Sequence, residues 1–292
     1  MSKGIIATGF FRTGSTFMFS ALRKCEKLMG FYEPYHPDIL KYVANTQAGL
    51  TAVDKNYLGH TVEEDDYFSE YSDIDLSEMN EAFASARRTV NHPILSSSST
   101  QQDLENYINF LIDYSDSKSK VPFFQANRFN YCLPWIAKKF PEFIKVLITR
   151  DPYSIFLSLQ NIANKGGIFL SYKSNDVNFW NVNEVYKYLN CCFELFLPFD
   201  KGYYFELYFI VSWINRISSR EADVVIPFES FNTNGLRAIN IILSSLSISS
   251  ISAENYIIKE YKGEGLPAKP KVIIDLEIEV DELLNLVVNH YV

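Results

Sequence analysis

Residues 9–16, GFFRTGST, have the frame G-x-x-x-x-G-K-[ST] of a phosphate-binding loop. Gly9 and Gly14 carry the required spacing and Thr16 stands at the position of the metal-binding hydroxyl, but Ser15 replaces the lysine and Arg12 is the loop's only cation. A glycine-rich turn between a strand and a helix aims backbone N–H groups and the positive end of the helix at one spot, which binds phosphate whatever the side chains. The side chains decide which phosphate. A loop that handles ATP needs the lysine to reach the β- and γ-phosphates and a carboxylate at a strand end to help hold Mg²⁺. Here the strand-like VLITRD places Arg150 where that acid would stand, with Asp151 already past it.

A sulfuryl donor makes different demands. A sulfonate carries less charge than a terminal phosphate, so its transfer requires no metal: amides, hydroxyls and one cation at the bridging oxygen can neutralise the leaving phosphate. Arg12, Thr13, Gly14, Ser15 and Thr16 supply that set.

Two further stretches carry chemistry. In FIKVLITRDPYSIFLSLQN (143–161), Arg150 closes a strand pattern, at the edge where open parallel sheets bind ligands. Asp151 can cap the next helix, Pro152 suits its first turn, and Ser158 falls about two turns along it. In FYEPYHP (31–37), Glu33 and His36 are candidates for the general base that transfer to an alcohol needs, on a turn stiffened by Pro34 and Pro37.

GFFRTGST resembles the 5′-phosphosulfate loop of sulfotransferases that use 3′-phosphoadenosine 5′-phosphosulfate (PAPS), and 143–161 resembles their 3′-phosphate motif, an Arg ending a strand with Ser eight residues later. Residues 123–152 and 222–243 resemble the family's neighbouring segments, whereas 41–120 do not. The resemblance implies a P-loop-type fold and a PAPS-dependent sulfotransferase of the bacterial or carbohydrate-type branch, with no metal and with 3′,5′-adenosine bisphosphate (PAP) as product. It implies cofactor binding by Arg12, Thr13, Gly14, Ser15, Thr16, Arg150 and Ser158, with Arg12 also stabilising the bridging oxygen and Arg128 a further cofactor-side cation. In carbohydrate-type members a Glu some twenty residues beyond the loop is the base, which implies Glu33, with His36 second. The Arg-Lys-Gly segment of cytosolic members has no good match, YKGEGLPAKPK (261–271) being a poor one. The rival readings are an ATP-dependent phosphotransferase with a degenerate loop and a non-catalytic nucleotide-binding module.

The elements that must position these residues alternate. KGIIAT (3–8), VPFFQA (121–126), FIKVLIT (143–149) and ADVVIPF (222–228) have strand length, and STFMFSALRKCEKLM (15–29) has helical spacing up to Gly30. The pattern predicts an α/β fold of three layers, a central parallel sheet flanked by helices. QQDLENYINFLIDY (101–114), after the linker-like SSSST (96–100), and the apolar 202–216 predict helices, the latter buried. With 292 residues the expectation is one domain, 1–292, carrying an insertion or lid at roughly 41–120. That segment has many carboxylates and no Lys or Arg from Glu63 to Glu81, as a solvated insertion or an acidic lid would.

The formal net charge of −8 gives no global positive field for nucleic acid or densely sulfated polysaccharide, so the expected acceptor is a small molecule, a sugar or a lipid-like alcohol. The four cysteines form no C-x-x-C pair and the four histidines no H-x-x-x-H, which predicts no structural zinc. The apolar N-terminal run is short and leads straight into the loop, so it predicts a strand rather than a signal peptide. No stretch approaches the ~20 apolar residues of a membrane span, and a cytoplasmic chain is the expectation.

Overall fold

The computed structural model describes residues 3–50, 67–90, 101–174, 182–192, 198, 200–249 and 267–288. They form two compact units, Met1–Thr149 with Ser218–Glu260, and Arg150–Ile217 with Tyr261–Val292.

The first unit is built on a five-stranded sheet of β1 (Gly4–Gly9), β2 (Leu28–Tyr32), β3 (Val121–Gln125), β4 (Phe143–Thr149) and β5 (Val224–Pro227). Its order is β2-β3-β1-β4-β5 and every pairing is parallel. Parallel neighbours need crossovers, and helices supply them: α1 (Ser15–Leu22) between β1 and β2, α2 (Ile39–Gln47), α3 (Leu76–Val90) and α4 (Gln102–Ser117) between β2 and β3, and α5 (Leu133–Lys139) between β3 and β4, while α9 (Phe231–Ser245) follows β5. Helix α1 packs on β1, β2 and β3, α4 on β3, and α9 on β5. All six residues of β1 are buried, as a central strand covered on both faces must be. The chain turns to opposite sides of β1 on its way to β2 and to β4, so the loop after β1 stands at the switch point where such sheets bind ligands.

The second unit contains α6 (Pro152–Lys165), α7 (Val182–Cys192), most of α8 (Tyr203–Glu221) and α10 (Lys271–Val288). Helix α8 is buried along most of its length, as its apolar sequence predicts. Among the described residues no helix is long and apolar enough to cross a membrane.

Two expectations need correction. The helix expected over 15–29 ends at Leu22, and 28–32 form β2. All five residues of β2 are buried, and a short run that is apolar at every position has no periodicity to separate strand from helix. Its parallel pairing with β3 makes it a strand, and at Gly30 a Cβ would come within 2.9 Å of the Phe19 ring. The described part of 41–120 is not a solvated insertion. Phe68, Tyr71, Met79, Phe83, Leu104, Tyr107 and Leu111 belong to the main core. Asp73, Asp75, Glu78 and Glu81 are exposed, Asp75 capping α3 through the N–H groups of Ser77 and Glu78 and Asp73 pairing with Lys118, while Glu70 is half-buried and pairs with Arg23. Residues 63–66 and SSSST lie outside the described residues.

Candidate active site

The loop begins where β1 ends. Gly14 is the N-cap of α1 with φ 88°, a left-handed conformation that glycine adopts without Cβ strain, and a Cβ there would run into the Phe228 ring from the turn after β5. Arg12 also has positive φ, 67°. The hydroxyls of the loop serve the protein itself. Thr13 Oγ1 donates to the Phe10 carbonyl at 2.7 Å, Ser15 Oγ donates to Asn127 Oδ1 at 2.8 Å, and Thr16 Oγ1 lies 3.0 Å from the Tyr32 hydroxyl. The backbone is different: no side chain caps α1, and among the described residues the N–H groups of Gly14, Ser15 and Thr16 have no partner. Unpaired N–H groups at a helix N-terminus, beside an arginine, are the donor set an anion requires. In the folded loop the hydroxyls are engaged and the unpaired donors are the backbone N–H groups of residues 14–16.

Glu33 follows β2 directly. Its N–H donates to the Gln125 carbonyl at 2.6 Å, its φ is 44°, and the residue is 7% exposed. Oε1 accepts from the Asn127 N–H at 3.1 Å, while Oε2 is buried without a hydrogen-bond partner. Burial pushes the carboxyl up to about 7, against the opposing pull of Arg128, the Asn127 N–H and the Gln125 side chain. His36 goes the other way. Burial lowers it to about 4, helped by the Arg128 charge and resisted by Asp38. Its Nδ1 accepts from the Asp38 N–H at 3.1 Å, which puts the ring proton on Nε2. Arg128, expected on the cofactor side, thus acts on Glu33 and His36 alike.

The turn that carries Glu33 is held from the segment expected to be an insertion. The Tyr71 hydroxyl donates to the Tyr32 carbonyl at 3.2 Å and the Tyr107 hydroxyl to the Pro34 carbonyl at 3.0 Å. Tyr35 is fully buried and stacks on Phe129 at 5.9 Å.

The structure therefore brings the loop and Glu33 together through Asn127, which sequence reasoning missed. Gln125 Nε2 also donates to Asn127 Oδ1, at 3.3 Å. The available signal was polar: Gln125 and Asn127 follow the apolar VPFF at the carboxyl end of a strand, where a site belongs.

Arg150 and Ser158 belong to the second unit and are both half-buried. Asp151 caps α6 as expected, accepting from the Ser154 N–H at 2.8 Å and its hydroxyl at 2.9 Å, with Pro152 in the first turn. Ser158 lies two turns along that helix. Within this unit Lys269, from the described end of the 261–271 segment, reaches Asp151 and Glu277, each at 2.9 Å. Burial raises the Asp151 carboxyl, but the hydrogen bonds from Lys269 and Ser154 outweigh it and hold it below its usual range. Tyr204 completes the cluster with a 2.6 Å bond to Glu277.

A family model described as "Sulfotransferase family" matches residues 4–210. The crystal structure of sulfotransferase STF9 from Mycobacterium avium is similar to this chain with a TM-score of 0.50 at 13% identity, over 99% of this chain and 76% of that one. At that identity the likeness concerns the fold alone. A search of curated proteins gives no match. With the family model covering most of the chain, from β1 into α8, the protein belongs to the sulfotransferase family.

Proposed function

We propose that the chain transfers a sulfuryl group from PAPS to the hydroxyl of a small-molecule, sugar or lipid-like acceptor. One observation carries this reading: a loop with unpaired amides and one arginine is hydrogen-bonded, through Asn127, to a buried carboxyl poised near neutrality. PAPS, when bound, supplies an electrophilic sulfur and a nucleotide leaving group.

Arg12 and the unpaired amides of residues 14–16 hold the 5′-phosphosulfate and offset the charge that collects on the bridging oxygen, while the Thr13 N–H and hydroxyl both bond the Phe10 carbonyl and shape the loop. Arg150 and Ser158 hold the 3′-phosphate, a role supported by the strand-end Arg and the Ser eight residues later. Glu33 takes the acceptor's proton at Oε2, the oxygen left without a partner. A base near 7 is matched to neutral pH, whereas His36 near 4 is a weak base with one nitrogen already engaged. Thr16, the residue that binds Mg²⁺ in ATP-using loops, is bonded to Tyr32, in keeping with a reaction that requires no metal. We place the chain in the cytoplasm.

Calorimetry of PAP against ADP, each without and with Mg²⁺, on the wild type and on Arg150→Ala tests the donor. Metal-independent binding of the bisphosphate that the substitution abolishes is the expected result. A preference for ADP with Mg²⁺ would overturn the reading.

A further inference from the structure

The side chain of Asn127 does one thing and its backbone another. The side-chain Oδ1 accepts from Ser15 Oγ at 2.8 Å and from Gln125 Nε2 at 3.3 Å, while the backbone N–H donates to Glu33 Oε1 at 3.1 Å. The residue sits at the start of a short 3-10 stretch, Asn127–Cys132, directly after β3 and Ala126. Strand β3 lies between β1 and β2, the strands that deliver the loop and the base. Ser15 is 3% exposed, Glu33 7% and Gln125 fully buried, so water does not readily replace these bonds.

We propose that Asn127 is a positioning residue that couples the phosphate-binding loop to the general base. Its side chain, gripped by Ser15, fixes the place of its own N–H, and that N–H in turn holds Oε1 of Glu33 while Oε2 is left without a partner. Occupancy or displacement of the loop is thereby felt at the carboxylate, with Asn127 touching neither donor nor acceptor. This rests on Glu33 being the base.

The coupling has a signature that packing alone lacks. A carboxylate that loses an N–H donor holds its proton more tightly. Removing the Ser15 hydroxyl, which does not touch Glu33, therefore raises the pH at which Glu33 ionises. The other groups acting on Glu33 stay in place: Arg128 from the same 3-10 stretch and the Gln125 side chain, both favouring its charge. Burial raises the Tyr32 phenol, from β2, and the Tyr71 phenol, from the 3-10 turn Ser69–Tyr71, and the Glu33 charge adds a smaller push to each.

The test is the carboxyl titration of Glu33 by ¹³C NMR, its signal identified by its disappearance in Glu33→Gln. In the wild type the midpoint is expected near 7. In both Asn127→Ala and Ser15→Ala it should move upward, by about threefold or more in proton affinity. Ser15→Ala removes a single oxygen and keeps the test available if Asn127→Ala does not fold. Lowered melting temperatures with midpoints unmoved would overturn the coupling and leave Asn127 as packing. The parent reading fails separately: if Glu33→Gln retained sulfuryl transfer, Glu33 would not be the base, wherever the midpoints fell.

Discussion

The hydroxyls of Thr16 and Tyr32 stand 3.0 Å apart and join the first turn of α1 to the last residue of β2. Tyr32 precedes Glu33, so this bond and the Ser15–Asn127 bond run from adjacent loop residues to the two flanks of the base. The loop and the turn after β2 are thus one framework, held by side chains from β2 and from the stretch after β3. Tyr32→Phe tests its stiffness. The ring keeps its 4.8 Å stack on Tyr67, and Thr16, half-buried, can turn to water. The expected loss is about 1 kcal/mol, read by chemical denaturation, with weaker PAP binding by calorimetry.

Glu33 and His36 predict different pH profiles. A base near 7 makes kcat/KM rise about tenfold per pH unit below neutrality and level off above it. A His36 base would place the bend near 4 and leave the profile flat across neutrality. PAP release in the presence of alcohol acceptors, followed from pH 5 to 9, separates the two. Glu33→Gln should lower the rate by about 10²–10⁴ and abolish the bend.

The same carboxyl leaves a mark on stability. Its folded value lies above the ordinary one, so the folded state holds the proton more tightly than the unfolded chain. Stability tied to the neutral form is fully present below the unfolded value and is lost as pH rises to about 7. The cost at high pH is of the order of 3 kcal/mol. Glu33→Gln cannot ionise, and it retains an acceptor for the Asn127 N–H. The variant should therefore gain on the wild type between pH 4 and pH 8, whatever the constant offset from its buried amide. Melting curves of both proteins across that range check this; parallel curves would mean that Glu33 titrates normally.

What the sequence made legible was local. The loop frame, the Asp151 cap and Pro152, and the strands β1, β3, β4 and β5 follow from spacing and residue type within a few positions. What stayed hidden depends on pairing across the sheet. Tyr32 aligns with Gln125 on β3 and Gln125 with Ala7 on β1, and only that register sets Asn127 between Ser15 and Glu33. The anchoring of the Glu33 turn by Tyr71 and Tyr107 was hidden for a second reason. Tyr71 lies in the acidic run Glu63–Glu81, whose charge suggests a solvated segment, and Tyr107 in the helix expected over 101–114, although both rings are buried. Charge density describes one face of a helix, and the core side of α4 carries Leu104, Tyr107, Ile108 and Leu111.

Gly14 is where loop geometry and packing meet, and its substitution separates them. Gly14→Ala imposes a Cβ on a left-handed N-cap, costing about 1–2 kcal/mol, and also drives it into the Phe228 ring. Relief of both requires the loop to move, which rotates the N–H groups of residues 14–16 away from their common target. PAP binding should fall by at least about tenfold while the rest of the fold persists, since neither β1 nor the body of α1 is altered. Phe228→Ala in the Gly14→Ala background removes the collision and leaves the backbone strain. Calorimetry on the single and double variants then assigns the loss: recovery of affinity places it in the ring contact, and continued loss places it in the left-handed backbone that aims the amides.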